Sequence, residues 1–371
     1  MENLLDQNHV NSIYIHIPFC NNICSYCDFS KMYYKDSLVN KYLEALEKEI
    51  KLNYKNELIK TLYIGGGSPS SLSIKQLEKL FNIIKLFKLD KNCEFSIEVN
   101  SEDMTVEKIK ILSDNKVNRV SIGVQSFNKK ILKLLNRKHS KEDVINLVNN
   151  LVKYKIDNIN IDLMYAIPNQ SLYSIKKDLN LVLNLNIKHI SYYSLILEKN
   201  TKLYVDKYTN VDEDVELKQY NYIKNRLNNN NFNRYEISNY SKIGYESKHN
   251  LVYWNNNNYY GFGLGASGYI NNIRYTNTKN INKYIKEEFL VCKENLNKKD
   301  IMDNEIMLSL RLIKGINKII FYNKYKVNIK DIYKIDELIK NKLLVENEEY
   351  IYINKKYLYV SNEVIGSILY G

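Results

Sequence analysis

Three of the chain's five cysteines lie close together, in the stretch Cys20-Asn-Asn-Ile-Cys24-Ser-Tyr-Cys27. The residues just before them, 12–17, alternate between polar and apolar side chains, as a half-buried strand does. A loop that follows such a strand places its thiols at one end of a sheet or barrel. The spacing therefore raises the question of what three neighbouring thiolates bind.

Three kinds of site could explain these cysteines: disulfides, a structural zinc site or an iron–sulfur cluster. Disulfides are disfavoured because the cysteine count is odd and the stretch Met1 to Asp6 has no secretory signal. A structural zinc site needs four ligands, usually in paired Cys-x2-Cys units. Cys24 and Cys27 form one such unit, but the chain has no second. Clustered thiolates also bind iron–sulfur clusters, and a [4Fe–4S] cube held by three cysteines leaves one iron open for a chelating ligand.

The spacing C-x3-C-x2-C resembles the signature of the radical S-adenosylmethionine (SAM) superfamily. Tyr26, the aromatic residue before the third cysteine, fits the same superfamily. The resemblance implies a [4Fe–4S] cluster on Cys20, Cys24 and Cys27, with SAM as the ligand of the open iron.

The composition favours a globular protein without a membrane span or a nucleic-acid partner. The chain has 371 residues with 44% hydrophobic and 26% charged side chains, as expected for a globular protein with a large core. No apolar run approaches the ~20 residues of a membrane span. The net charge of +12 accompanies a general abundance of Lys, Asn, Ile and Tyr, without a basic block, so no nucleic-acid partner is expected. We expect a cytoplasmic protein.

Strand-like and helix-like stretches alternate along the first half of the chain, which is typical of a parallel sheet with helical crossovers. Six such units predict an α/β fold, an open or partial (β/α)6 barrel, in which chemistry gathers at the carboxyl ends of the strands. The predicted strands are 12–17, 61–64, 94–99, 119–122, 158–163 and 189–195.

Polar or glycine residues follow these strands where a ligand would lie. Strand two ends in Gly65-Gly-Gly67-Ser68, strand three carries Glu98, strand four ends near Gln125 and strand five near Asp162. Glycines allow a close backbone approach to a ligand. The carboxylates and the amide can bind hydroxyl or amino groups.

Several of these stretches together resemble the family of oxygen-independent coproporphyrinogen III oxidase, which includes a haem-chaperone branch. The resemblance covers nearly the whole chain. It implies that SAM is bound by Tyr14, Tyr26, Gly66, Gly67, Ser68, Glu98, Gln125, Arg137 and Asp162. The matching stretches are Tyr14–Cys20, Cys27-Asp-Phe29, Gly65–Ser70, Ser121–Phe127, Asn136–His139, Asn160–Tyr165, Tyr235–Asn239 and His249–Trp254.

The same resemblance divides the chain into three parts. Residues 1–200 form the radical SAM core, 201–299 a barrel extension, and 300–371 a smaller C-terminal winged-helix-like α+β domain. Within the extension, His249-Asn-Leu-Val-Tyr-Trp resembles a stretch that is associated with haem binding in the haem-chaperone branch. An imidazole is a natural axial ligand of haem iron. We therefore predict His249 as a haem ligand, although a packing role for this residue stays open.

Three functions remain, and position 29 discriminates between the first two. A haem chaperone would deliver haem to an acceptor protein, a respiratory protein being one candidate. The oxidase would decarboxylate coproporphyrinogen III through a SAM-derived radical. Oxidase members carry a further cysteine two residues after the third ligand, where this chain has Phe29. The chaperone is therefore favoured and decarboxylase activity is doubted. A radical SAM enzyme that modifies RNA is suggested by the charge alone.

Overall fold

A computed structural model describes residues 9–371 of the chain. The stretch Met1 to Asp6, on which the expected lack of a secretory signal rests, lies outside the described residues. In chain order the described strands are β1 (Ser12–Ile17), β2 (Phe19–Cys20), β3 (Met32–Tyr33), β4 (Leu58–Gly66), β5 (Lys88–Val99), β6 (Arg119–Gln125), β7 (Asn158–Tyr165), β8 (His189–Ser194), β9 (Asn233–Arg234), β10 (Asn239–Ser241), β11 (Tyr260–Gly263), β12 (Ser267–Ile270), β13 (Ile273–Asn277), β14 (Leu290–Asn295), β15 (Ile316–Asn317), β16 (Leu344–Glu346) and β17 (Tyr350–Ile353).

Helices connect the parallel strands and cover the remaining segments. They are α1 (Asp36–Asn53), α2 (Ile74–Ile84), α3 (Val106–Asp114), α4 (Lys129–Leu134), α5 (Lys141–Lys153), α6 (Leu172–Val182), α7 (Lys202–Val205), α8 (Glu213–Asn228), α9 (Lys248–Trp254), α10 (Ile281–Ile285), α11 (Lys298–Ser309), α12 (Lys318–Tyr325), α13 (Ile329–Ile332), α14 (Ile335–Lys340) and α15 (Ser361–Leu369).

The large sheet confirms the predicted partial barrel. Its strand order is β11-β1-β4-β5-β6-β7-β8-β10-β9. Strands β1, β4, β5, β6, β7 and β8 pair in parallel in chain order, and β10 joins β8 antiparallel. All six predicted strands are present. Strands β4 and β5 begin earlier than predicted, at Leu58 and Lys88.

Apolar faces of α1, α2, α3, α5, α6 and α8 are buried in the core that includes this sheet. Helix α2 shows why the sequence folds this way. The Ser73 hydroxyl accepts a hydrogen bond from the Gln76 amide, and the Gln76 Oε1 accepts one from the Ser73 amide. Leu77, Leu80 and Phe81 then lie on its buried face. Each such side chain contributes about 1.5–3 kcal/mol through removal from water.

Strand β11 was not predicted, and it closes one side of the parallel row by pairing with β1. Its sequence, Tyr260-Gly-Phe-Gly263, contains two glycines. A Cβ on Gly261 would lie 1.9 Å from the carbonyl oxygen of Ser267. This glycine therefore permits close packing of two backbone segments within the fold.

The C-terminal residues have a hydrophobic core of their own, built from α11 to α15 and the antiparallel sheet β15-β17-β16. Helices with a small antiparallel sheet agree with the predicted α+β character of this part. The exact boundaries at residues 200 and 300 stay predictions. Within residues 9–371, no helix is both long enough and apolar enough to cross a membrane.

Candidate functional site

One cavity of about 670 Å³ gathers every site residue that the sequence predicted. The strand ends and the cysteine loop bring them together from all parts of the barrel. The predicted residues on its wall are Cys20, Cys24, Cys27, Tyr14, Tyr26, Gly66, Gly67, Ser68, Glu98, Gln125, Arg137, Asp162 and His249.

The cysteine loop is fixed at both ends by backbone pairing. Strand β2 pairs with β3, which places Cys20 beside Tyr33. Cys20 is buried, whereas Cys24 and Cys27 are partly exposed. Burial, and then the neighbouring thiols, raise the pKa of Cys20 to about 12, and burial also raises the pKa of Cys27. Without a metal these two thiols hold their protons, so iron binding must displace them.

The donor set, three cysteine thiols on one loop, fits an iron–sulfur cluster. Among residues 9–371, no three His, Cys, Asp or Glu side chains are arranged around one metal position. In a [4Fe–4S] cube each thiolate binds a different iron, so the sulfur atoms need not converge on one point. When bound, a cluster of this kind supplies an electron and an open iron site. The protein supplies three thiols on one loop and a wall without side chains opposite them.

That wall is the turn Gly65–Gly67. A Cβ on Gly67 would lie 2.8 Å from the carbonyl of Pro18 and 2.9 Å from the sulfur of Cys20. Gly66 has a φ of 122°, which L residues rarely adopt, and its amide donates to Glu98 Oε2 at 3.1 Å. The turn can therefore approach the cysteine loop only because it lacks side chains.

His16 links the barrel to the cysteine loop. Its Nε2 lies 2.7 Å from the carbonyl oxygen of Ser30, and its Nδ1 lies 2.9 Å from the hydroxyl of Tyr14. Nε2 therefore donates and Nδ1 accepts from Tyr14, which holds the Tyr14 ring on the cavity wall. Burial lowers the pKa of His16. This histidine is a satisfied structural residue.

Two half-buried carboxyl groups face the cavity. Glu98 accepts from Tyr63 at 2.8 Å and from the Gly66 amide. Burial, and then the charge of Asp162, raise the pKa of Glu98 to about 7. Asp162 accepts from Ser121 at 2.9 Å and from Asn160 at 2.7 Å, and burial raises its pKa. Both groups are placed to accept hydrogen bonds from hydroxyl or amino groups of a ligand.

Arg137 lies between the cysteine loop and the strand ends. Its Nη1 donates to Asn100 at 2.7 Å and lies 3.7 Å from the sulfur of Cys24, and its Nη2 donates to the carbonyl of Gly123. Its Nε is buried without a hydrogen-bond partner. An unpaired buried donor on a cavity wall suits a polar group of a ligand.

The remaining predicted SAM residues surround Arg137. Gln125 has a φ of 67° at an irregularity between β6 and β7, and its Oε1 accepts from Tyr193 at 3.1 Å. The hydroxyl of Ser68 accepts from Asn100 at 3.0 Å. Burial, and then the Cys24 thiol, raise the pKa of Tyr26, so its phenol stays neutral.

His249 lies at the interior end of the cavity. It is fully buried, its Nδ1 lies 2.8 Å from the hydroxyl of Thr61, and its Nε2 lies 2.7 Å from the hydroxyl of Tyr253. Burial lowers its pKa to about 3. Trp254 points elsewhere and packs against Arg311, whose guanidinium carbon lies 5.8 Å from the ring centre. The role of His249 as a haem ligand stays a prediction.

Several residues of the wall were not predicted. They share an inward-facing position on the strands, where every second residue points into the barrel. The period-2 alternation of polar with apolar residues in β6 could have identified them, since 119, 121 and 123 alternate with Val120, Ile122 and Val124. The missed strand residues on the wall are Tyr63, Arg119, Ser121, Asn160, Ser191 and Tyr193.

The chain is similar to a known protein family and to several named proteins. Residues 14–182 match the model of the radical SAM superfamily. The chain is 40% identical to "Heme chaperone HemW" of Lactococcus lactis subsp. lactis (strain IL1403), over 97% of each chain. It is 35% identical to "Heme chaperone HemW" of Bacillus subtilis (strain 168), over 97% of this chain and 99% of the relative.

Among solved structures, the fold is similar to coproporphyrinogen III oxidase (HemN) from Escherichia coli, described as a radical SAM enzyme. The TM-score is 0.86, with 21% sequence identity over 97% of this chain and 90% of that chain. At this identity the likeness establishes the shared fold.

Proposed function

The chain belongs to the HemW family, within the radical SAM superfamily, and from this premise we propose that it is a haem chaperone that binds haem and delivers it to an acceptor protein. The relatives that share 35–40% of its residues across nearly their full length carry the name of haem chaperones. Membership of the superfamily also implies a [4Fe–4S] cluster and SAM.

The observation that carries the proposal is the position of Phe29. This residue stands where the oxidase members of the wider family have a further cysteine. Here it lies at the mouth of the cavity with 70% of its surface exposed. An exposed phenyl group cannot supply a thiol to the reaction, but it offers an apolar surface to a flat, apolar cargo.

We propose Cys20, Cys24 and Cys27 as the cluster ligands. The SAM site would use Tyr14, Tyr26, Gly66, Gly67, Ser68, Glu98, Gln125, Arg137 and Asp162. Two observations support this assignment: all of these residues share one cavity, and Arg137 has a buried Nε without a partner. The cytoplasm is the proposed location, because thiols stay reduced there and remain free to bind iron.

The test combines haem transfer with an oxidase assay. The anaerobically reconstituted protein is loaded with haem and mixed with an apo-haemoprotein, and transfer is followed by the change in the Soret band. We expect haem binding and transfer. Failure of the wild-type protein to bind haem would refute the proposal.

The oxidase is the second candidate, favoured by the gathering of the predicted SAM residues around the cysteine loop. The same protein preparation is incubated with coproporphyrinogen III, SAM and a reductant. We expect no protoporphyrinogen IX. SAM-dependent formation of this product would overturn the chaperone assignment in favour of the oxidase.

A further inference from the structure

The cavity contains a buried cation that the proposed SAM and cluster sites do not use. Arg119 is the first residue of β6 and is 2% exposed, yet it lies on the cavity wall. Its Nε has no hydrogen-bond partner. Arg137, which is also buried, and Lys324, whose side chain is 11% exposed, pair with Glu102 and Glu305, whereas Arg119 forms no ion pair within residues 9–371.

The residues beside Arg119 are unsatisfied as well. Ser96 on β5 and Asn158 on β7 are its register partners in the sheet. The Oγ of Ser96 and the Oδ1 of Asn158 are both buried without a hydrogen-bond partner. Buried polar atoms are normally paired, so this row is unusual. Ser96 and Asn158 do not line the cavity, however, and of the three residues only Arg119 can meet a ligand there.

The nearby carboxyl groups of Glu98 and Asp162 do not serve as the anionic partner of Arg119. Glu98 and Asp162 are close enough for the charge of Arg119 to favour their ionised forms, but burial still raises the pKa of both carboxyl groups. Their oxygens already accept hydrogen bonds from Tyr63, the Gly66 amide and neighbouring polar side chains, and neither carboxyl group forms an ion pair with Arg119. The guanidinium of Arg119 therefore keeps donors available for another anion. Such a planar fork suits a carboxylate in particular.

The cavity also indicates what the rest of the ligand looks like. Phe29 and Ile196 lie on its wall and are 70% and 69% exposed, so the cavity opens to the surface between apolar side chains. Aromatic residues, among them Tyr63 and Tyr193, line the part further inside.

We propose that Arg119 is the anion-binding residue for a carboxylate of a flat, apolar ligand that enters past Phe29 and Ile196. This inference rests on the proposed function, under which the ligand is haem and the carboxylate is one of its propionates. The carboxylate of SAM is the other possible source of the same chemistry, and the experiment separates the two.

The first arm of the test needs no variant. Cluster-loaded wild-type protein is titrated with haem and with haem dimethyl ester, whose propionates carry no charge. We expect the ester to bind about tenfold more weakly, which corresponds to about 1.4 kcal/mol. Equal binding of haem and ester would refute the proposal while leaving haem binding itself intact. Absence of haem binding would refute the proposed function and, with it, this inference.

The second arm uses Arg119→Gln and Arg119→Lys, with Arg274→Gln as a control of equal charge change. Arg274 lies at the surface in an ion pair with Glu294 at 3.8 Å. Arg119→Gln is expected to bind haem as weakly as the ester. Arg119→Lys, which keeps the charge, should lie in between, and Arg274→Gln should match the wild type. Thermal unfolding and iron content show that each variant is folded and loaded.

Two further measurements fix the source of the carboxylate. Binding of SAM to Arg119→Gln is measured by equilibrium dialysis, and a loss confined to SAM would overturn the porphyrin assignment. Protoporphyrin IX and its dimethyl ester, followed by fluorescence quenching, test the carboxylate without iron. One further outcome is that the wild-type protein binds protoporphyrin IX more tightly than its dimethyl ester, through Arg119, and yet never transfers haem. That result would support the anion site and refute the chaperone function.

Discussion

The Nε2 atom of His249 lies 2.7 Å from the hydroxyl oxygen of Tyr253, while Nδ1 lies 2.8 Å from the hydroxyl of Thr61. Burial lowers the pKa of His249 to about 3, so the imidazole is neutral, as a metal ligand must be. Both of its nitrogens are nevertheless in use. Binding to haem iron through Nε2 would require the hydrogen bond to Tyr253 to break.

Replacement of Tyr253 by Phe should therefore strengthen haem binding if His249 is an axial ligand. The broken hydrogen bond is worth about 1 kcal/mol, so we expect the affinity to rise about fivefold. His249→Ala should weaken binding and change the Soret spectrum. Both are measured by anaerobic titration of the reconstituted protein.

Tyr259→Phe is the matched control for Tyr253→Phe. The Tyr259 ring lies 4.6 Å from that of Tyr253, and the substitution also removes one phenolic hydroxyl. It should leave haem affinity unchanged. If His249→Ala and Tyr253→Phe both bind haem as the wild type does, His249 is a packing residue and the iron has another ligand.

The cluster assignment is tested with single cysteine substitutions. Changing Cys20, Cys24 or Cys27 to Ala should reduce bound iron and sulfide after reconstitution to a small fraction of the wild-type content, because each thiolate holds a separate iron. Cys292→Ser is the control, since Cys292 is exposed on strand β14, outside the cavity. Loss of iron in Cys292→Ser, or its retention in all three alanine variants, would contradict the assignment.

Two glycine-to-alanine substitutions compare the stability of a closely packed position, Gly67, with that of an open one, Gly366. Gly67→Ala places a Cβ 2.8 Å from the Pro18 carbonyl and 2.9 Å from the Cys20 sulfur, so it should lower the free energy of unfolding by about 1–3 kcal/mol. It should also reduce bound iron. Gly366→Ala, inside helix α15 with nothing within 4 Å, should raise the free energy of unfolding by about 0.5–1 kcal/mol.

Urea unfolding of the protein without iron measures both effects. Because the Gly67 contact involves backbone atoms, it cannot be relieved by rotating a side chain. Equal stability of Gly67→Ala and the wild type would show that the Gly65–Gly67 turn can move away from the cysteine loop.

The sequence predicted the parallel strands well because each has a regular pattern of its own. Alternation identified β1, and buried apolar residues between helices identified β4 to β8. Strand β11 was not predicted because the sequence Tyr-Gly-Phe-Gly is typical of a loop. Only its pairing with β1 makes it a strand. Local propensity carries no information about a partner that lies more than two hundred residues away.

The site was predictable to the extent that its residues follow strand ends. Arg119 was missed although it alternates with Val120, because only the packed sheet shows which face of β6 lines the cavity. The separation of His249 from Trp254 was missed for a related reason. His249 and Trp254 belong to one motif on a short helix but contact different neighbours, and only the packed structure shows which of them lines the cavity.

Glu98 makes SAM binding depend on pH. Burial, and then Asp162, raise its pKa to about 7, which is above the value of a carboxyl group in the unfolded chain. Folding therefore favours the protonated form, and the contribution of Glu98 to stability is lost as pH rises through about 7. SAM carries a positive sulfonium and donor groups, so it favours the ionised form. Its affinity should rise about tenfold between pH 6 and pH 8.

Glu49→Gln provides the matched control for Glu98→Gln. Glu49 is also buried with a pKa raised to about 7, but its partners are Asn277, Tyr284 and the amide of Gly263, away from the cavity wall. Equilibrium dialysis at pH 6 and pH 8 should show the full change in SAM affinity for Glu49→Gln. Glu98→Gln should retain only the part due to Asp162. If Glu98→Gln keeps the whole tenfold change, another group controls the pH dependence and Glu98 does not contact SAM.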